Sequence, residues 1–504
     1  MPTAQATRKS TRLHQPSRLL SLSSEIIDLI ISWLLALEKN QKGKRRQLSK
    51  ILKVSPVLAP FARRHLFQKL TLAVGDLRGN GEQLKQILAS SEGKATGVGL
   101  HVRTLKVRAQ DILYDAALAV ENPATSVVPR TNLPQSEVTQ LVIDVLRQTG
   151  SVNSLELDTR VGTKEEGLAD EEGEQILRDE LERELSGLRI SSFVLAVPTL
   201  TNGLQLISEH SGWLSPFVPS LTAWNSLTTL DLWRIKITLP TGLPHPNFRL
   251  RQLHLVSSEI GGTAELEWLL GLVGGSRSSD LEKLVLGELT FTSSPGSSNP
   301  LCAIFGTNER TPSFSSTLSF LELALLSPID SAATLLSPLT HLRDLELAGQ
   351  GITPEVFASI LPTRSQHLPS VSHGLKILHF HYTPLLPHDA LLAALAQPTF
   401  FPKLELLDFH LIQAVPRTMS WEDARGPASK WDWNETDWRK MEKVVRTHRT
   451  LQLKKNGIVH ATDYSSDEGD EDDEVDDDAL FVPSSDAEGN VGVFIREESD
   501  NSDF

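Results

Sequence analysis

Apolar and polar positions recur along this chain in a fixed phrase. Ten times, an aliphatic residue is followed by two variable positions, a second aliphatic, one variable position, and a third aliphatic or Phe. The middle anchors are Leu105, Leu155, Leu188, Leu230, Leu253, Leu284, Leu321, Leu345, Leu378 and Leu407. Alternation at the end of each phrase predicts a short strand with one apolar face. Successive anchors lie 23 to 50 residues apart, so the surplus chain must sit in the connectors. Some connectors have helical spacing. Val138, Leu141, Val142, Val145 and Leu146 make one stripe, and Thr353-Pro354-Glu355 offers a cap, a first-turn proline and an acid ahead of Val356 to Leu361. Lys164 to Glu184 predicts an acidic helical insertion, whereas the Ser-, Pro- and Gly-rich stretch Thr292 to Thr317 predicts a mobile loop.

Ahead of the phrases the periodicity is helical. Ile26, Ile27, Ile30 and Leu34 are expected on one helical face, with Ser24 as cap and Glu25 in the first turn. After a basic loop, Lys42 to Arg46, the apolar residues Leu48, Ile51, Leu52, Phe61, Ala62 and Leu66 continue the helical spacing, broken in two by Pro56 and Pro60. Leu66 to Leu72 predicts a strand that opens the sheet. At the far end a helix after Asn434, with Trp438, Met441, Val444 and Val445 on one side, is expected to cover the last strand, because an open stack of strands exposes its terminal core.

The repeated phrase resembles the strand of a leucine-rich repeat. The resemblance implies an α/β fold: an irregular solenoid with parallel strands on its concave side, spanning residues 73–460 with its helical cap. The segment 19–72, with Leu22-Ser-Ser-Glu-Ile-Ile27, then Leu48-Ser-Lys-Ile-Leu-Lys-Val-Ser55 and Ala62-Arg-Arg-His-Leu-Phe67, resembles the F-box, in its divergent fungal form. Ser23 stands where that family commonly has Pro. F-box proteins are substrate receptors of cullin-RING (SCF-type) ubiquitin ligases. The resemblance implies that Leu22, Glu25, Ile26, Ile30, Leu34, Leu48, Val54 and Ser55 lie at or beside the contact with a Skp-type adaptor, which links the chain to a cullin scaffold. The other reading of the same residues is an amphipathic cap sealing the first repeat. A second functional reading is a non-ligase interaction scaffold, similar to acidic leucine-rich nuclear proteins that bind basic partners.

If the phrases are strands, the position between the last two apolar residues faces outward. Stacking then gives a column Lys106, Glu156, Arg189, Asp231, His254, Val285, Glu322, Glu346, His379 and Asp408. A second column reads Arg108, Asp158, Ser191, Trp233, Val256, Gly287, Ala324, Ala348, His381 and His410. Expected target contacts are Asp231, Trp233, His254, Glu322, Glu346, His379, His381, Asp408 and His410. The last four should be neighbours. They carry no recognised ligand motif, so a polar receptor surface is expected there and no metal.

Seventeen acids against one arginine give residues 461–504 a charge of −16, so the other 460 residues sum to +2 within the whole chain's −14. That tail is expected to be disordered, as is the basic arm 1–18. Ser466, Ser485 and Ser499 precede acids in the manner of acidophilic kinase sites. The single cysteine, Cys302, rules out an intrachain disulfide and points to a reducing interior, cytoplasmic or nuclear. The strongest apolar stretch, Ile26 to Leu37, is too short to span a bilayer. Phosphate-binding glycine loops, dinucleotide fingerprints, His-Glu-x-x-His and paired Cys motifs do not occur, and no basic stripe interleaved with aromatics lines the columns. The expectation is a monomer outside its complex that binds proteins, without enzyme activity, cofactor, membrane or nucleic-acid contact.

Overall fold

The computed structural model describes residues 22–37, 41–54, 58–73, 98–108, 135–158, 171–196, 212–240, 242–271, 280–292, 299–305, 313–329, 332–362, 370–381, 383, 385–386, 388–397, 399–410, 435–448 and 450–456. The basic arm and the acidic tail lie outside them. Three helices come first: α1 (Ser24–Ala36), α2 (Gln41–Val54) and α3 (Ala59–Leu66). Eight more follow: α4 (Gln135–Gln148), α5 (Glu171–Ser186), α6 (Val218–Ala223), α7 (Thr263–Leu270), α8 (Pro300–Phe305), α9 (Pro354–Ala358), α10 (His388–Leu395) and α11 (Glu435–Val445). The strands β1 (Lys69–Ala73), β2 (Thr104–Arg108), β3 (Ser154–Asp158), β4 (Ser192–Ala196), β6 (Thr229–Trp233), β8 (Gln252–Val256), β10 (Lys283–Gly287), β12 (Phe320–Ala324), β13 (Asp344–Ala348), β14 (Ile377–His381), β15 (Leu406–His410) and β16 (Gln452–Asn456) join in that order. They form one 12-stranded parallel sheet, so the fold is α/β. Four short strands, β5 (Gly212–Trp213), β7 (Ile235–Ile237), β9 (Glu259–Ile260) and β11 (Thr290–Phe291), make a second parallel sheet beside it.

Pairing is in register across the large sheet, so equivalent side chains stack strand on strand. Leu345 pairs with Leu321 on one side and Leu378 on the other, and all three are fully buried. Period-2 alternation sends these leucines to one core, where the helices cover them, and leaves the intervening residues on the open face. The residue just after the strand takes a left-handed backbone at Arg234, Ser257 and Glu288 and at Gly349 (φ 57°, 49°, 52° and 90°). Each still donates its N–H to the following strand, as in Arg234 N to Val256 O at 2.9 Å and Gly349 N to His381 O at 3.0 Å. A Cβ on Gly349 would fall 2.3 Å from the Leu325 carbonyl oxygen, which fixes glycine there.

Nine of the ten phrases are strands and one is not. Leu185 belongs to the last turn of α5, and Leu188 and Ile190 are buried in the turn that follows. Leu181, Leu185 and Leu188 are spaced by four and three, a helical interval, and the true strand is Ser192-Phe-Val-Leu-Ala196. Val194 and Ala196 therefore take the column places expected for Arg189 and Ser191. The expected basic loop at Lys42 to Arg46 is helical, forming the first turns of α2, because Lys and Arg are good helix formers and Gly43 falls near the helix start. Part of the expected mobile loop is also ordered: Asn299 Oδ1 accepts the Leu301 N–H at 2.9 Å, and Leu301, Ile304 and Phe305 bury one side of α8.

The lid at the far end is α11, as its spacing predicts. Trp438 and Met441 are buried, and the Trp438 ring meets Phe409 edge-on at 5.1 Å. Beyond it β16 adds a strand that lacks the repeated phrase. Among the described residues no helix is long and apolar enough to cross a membrane.

Candidate functional site

Two surfaces stand out from this frame. The first is on α1. Ile27 and Ile31 turn inward and meet Leu48 of α2 and Ala62 of α3 in a small core separate from that of the sheet. The opposite side of α1 is apolar too, and it is bare: Leu29, Trp33 and Leu37 are 69%, 62% and 61% exposed, and Leu22, Ile26 and Leu34 extend the same surface. The single stripe expected from Ile26, Ile27, Ile30 and Leu34 is thus two faces, one inside and one outside. Ile30 is half-buried between them. Leu48, expected at the adaptor contact, is instead 3% exposed and supports the helices from within. Glu25 is exposed in the first turn of α1, where its own backbone N–H, then the Ser23 and Ser24 hydroxyls, hold its carboxyl below the usual range. Val54 closes α2, and Ser55 lies outside the described residues. Leu29, Trp33 and Leu37 escape the sequence reading, although a helix apolar on nearly every side is itself a signal that two partners are needed.

The second surface is the open face of the sheet. Its middle column runs Thr71, Lys106, Glu156, Val194, Asp231, His254, Val285, Glu322, Glu346, His379, Asp408 and Lys454. At the N-terminal end Lys106 forms an ion pair with Glu156. Further along, His254 Nδ1 lies 3.5 Å from Asp231 Oδ2, and His379 Nδ1 lies 3.5 Å from Asp408 Oδ2. His381 Nε2 stands 3.0 Å from Glu346 Oε1. His410 pairs with His381 in the register, as the stacking predicts. Among the described residues no three His, Cys, Asp or Glu side chains are arranged to hold a metal ion.

Carboxylates outnumber firm positive charges in the second half of this face, and its electrostatics follow. Burial raises the pKa of Glu322, opposed by the nearby His254 and Lys283. Burial likewise raises Asp344, opposed chiefly by His379. Glu346 is pushed up to about 8, first by burial and then by the negative Glu322 and Asp408, against the attraction of Lys283. Lys283 itself sits 4.7 Å over the Phe320 ring.

The column beside this one is floored by small residues, Gly287, Ala324 and Ala348, between Val256 and His381. Trp233 bounds it at one end and is 39% exposed. The result is a strip of small side chains beside the polar middle column, with Trp233 standing at one end. No protein-family model matches this chain, and no curated protein matches its sequence.

Proposed function

We propose that this chain is the substrate-recognition subunit of an SCF-type ubiquitin ligase, built as a leucine-rich-repeat solenoid behind an F-box-like module. In this reading α1 docks a Skp-type adaptor through its outer face, and the open face of the sheet selects a target protein for ubiquitin transfer by other subunits. The chain itself performs no covalent step.

The observation that carries the reading is the bare apolar face of α1. A helix that merely sealed the sheet would turn its apolar side toward the sheet core, yet the three helices have a core of their own and leave Leu29, Trp33 and Leu37 in solvent. A contiguous exposed patch of large side chains on a small helical module is the mark of a protein contact. Aromatic and aliphatic anchors of this kind carry most of the energy of an interface. A target that brings positive charge suits the open face, since a Lys or Arg would favour the ionised forms of Glu322 and Glu346, which are opposed first by burial and, at Glu346, also by the neighbouring Glu322 and Asp408.

Mixing the purified chain with a Skp-type adaptor and the N-terminal part of a cullin, followed by size-exclusion chromatography, tests the proposal. A co-eluting ternary complex is expected. Separate elution of all three at concentrations of tens of micromolar, roughly the weak end of specific interfaces, removes it.

A further inference from the structure

A cleft between the helical module and the first strands is untouched by the two surfaces above. It has a volume of about 180 Å³, and apart from Leu100 its lining is polar: Asp28, Arg64, His65, Gln68, His101 and Arg103. Three elements bring these together. Asp28 comes from α1, Arg64 and His65 from α3, and His101 and Arg103 from the 3-10 turn Val98–His101 and the residues leading into β2. The Gln68 carbonyl fixes the corner by accepting the N–H groups of Arg103 and Thr104 at 2.9 and 3.0 Å.

The cleft is positive. Its acid, Asp28, is already engaged, with Oδ1 3.0 Å from His65 Nε2 and Oδ2 3.4 Å from Arg64 Nη1. Arg103 Nη1 donates to the Ser151 carbonyl at 3.1 Å. Each guanidinium has five N–H donors, so these contacts leave both forks with donors to give. Arg63 and Lys69, next in sequence to Arg64 and Gln68, are exposed and do not line the cleft. His101 registers the field: burial and the nearby Arg64 and Arg103 all lower its pKa.

Size and charge together narrow the ligand. Sites for drug-sized molecules run to roughly 300 Å³ and more, so an organic cofactor is too large. A phosphate monoester fits, with three acceptor oxygens that bridge two guanidinium forks. The chain also carries a source of such a group, because Ser466, Ser485 and Ser499 precede acids in residues 461–504.

We propose that this cleft is an anion site for the phosphate of a phosphorylated acidic peptide, supplied by this chain's own C-terminal segment or by a bound target. The assignment is independent of adaptor docking.

A fluorescent peptide of residues 461–475, with and without phosphate on Ser466, titrated with the full-length chain, reads the site directly. The phosphorylated form should bind at least about tenfold more tightly, the loss expected when one or more charge-assisted hydrogen bonds are removed. The double variant Arg64→Gln/Arg103→Gln should erase that gain, while Arg63→Gln, outside the lining, should change it by no more than about twofold. Should the double variant unfold, Arg103→Lys keeps the charge, removes the fork, and should still weaken the phosphopeptide severalfold; inorganic phosphate should compete in each case. No gain from phosphorylation, or equal losses in Arg63→Gln and in the cleft variants, overturns the assignment. The source is read by treating the full-length chain with an acidophilic kinase. A treated chain that no longer takes up the peptide is occupied by its own segment, and one that still does so awaits a target; either leaves the site standing.

Discussion

Helix α1 and the strands of the large sheet use similar residues to opposite ends. On the strands, alternation places the anchor leucines in the core, and most outward positions are polar or small, with Val194, Val285 and Trp233 among the exceptions: Leu345 is fully buried while its neighbour Glu346 faces out. On α1, Ile27 and Ile31 are buried, yet Leu29 and Trp33, two positions away, stand in solvent. The strands satisfy their apolar surface within the chain. The helix satisfies half of its own, and the other half is an exposed apolar patch of the kind found at protein contacts.

The contrast is sharpest where a charge is introduced. Leu345→Asp puts an unpaired carboxylate between Leu321 and Leu378 and should cost about 4 kcal/mol or more in chemical denaturation, enough to unfold much of the sheet. Next comes Phe409→Ala, which removes a ring stacked on Phe380 at 5.4 Å and met by Trp438 at 5.1 Å; about 3 kcal/mol should be lost, with the lid α11 loosening first in hydrogen exchange. In the small core of the helical module, Ile31→Ala should cost about 2 kcal/mol and lower the unfolding of residues 22–66 while the sheet transition stays in place, since the two cores are separate. A single shifted transition for the whole molecule would show that the module and the sheet fold as one unit.

Glu346 gives a smaller, pH-dependent effect on the outward side of the same strands. Its folded pKa of about 8 lies above the usual carboxyl value, so the native state holds a proton that the unfolded chain releases near pH 4 to 5. Its favourable contribution is complete below the unfolded pKa and declines as pH rises toward 8, so stability should fall across that window. Glu346→Gln keeps the shape without the ionisation. It should flatten the decline and raise the denaturation midpoint above pH 8 relative to the native chain; an unchanged pH profile would mean that Glu346 ionises normally.

Much of this architecture is written in the alternation itself. Where a phrase holds only period-2 spacing, as at Leu253-His-Leu255, the strand and its register follow directly. Where two periodicities overlap, as at Leu181, Leu185 and Leu188 beside Phe193 and Leu195, the phrase fits a helix end as well as a strand, and only packing decides. β16 is hidden for a different reason: Gln452-Leu-Lys-Lys-Asn456 is an outermost strand with charged residues, so it needs just one apolar anchor, Leu453, and carries no phrase. The candidate site was half legible. Column membership follows from the register, but which side of α1 is bare depends on how α2 and α3 lie against it, a matter of tertiary packing that local spacing does not contain.

The smallest expected change in stability is also the most direct test. Leu29→Asp/Trp33→Asp alters only exposed side chains and should shift the denaturation midpoint by no more than about 0.5 kcal/mol per site. Titrating the purified Skp-type adaptor into the native chain and into this variant by calorimetry should give binding for the first and none for the second. Equal binding by both, or heat from neither, would contradict the assignment of the outer face of α1 as the docking surface.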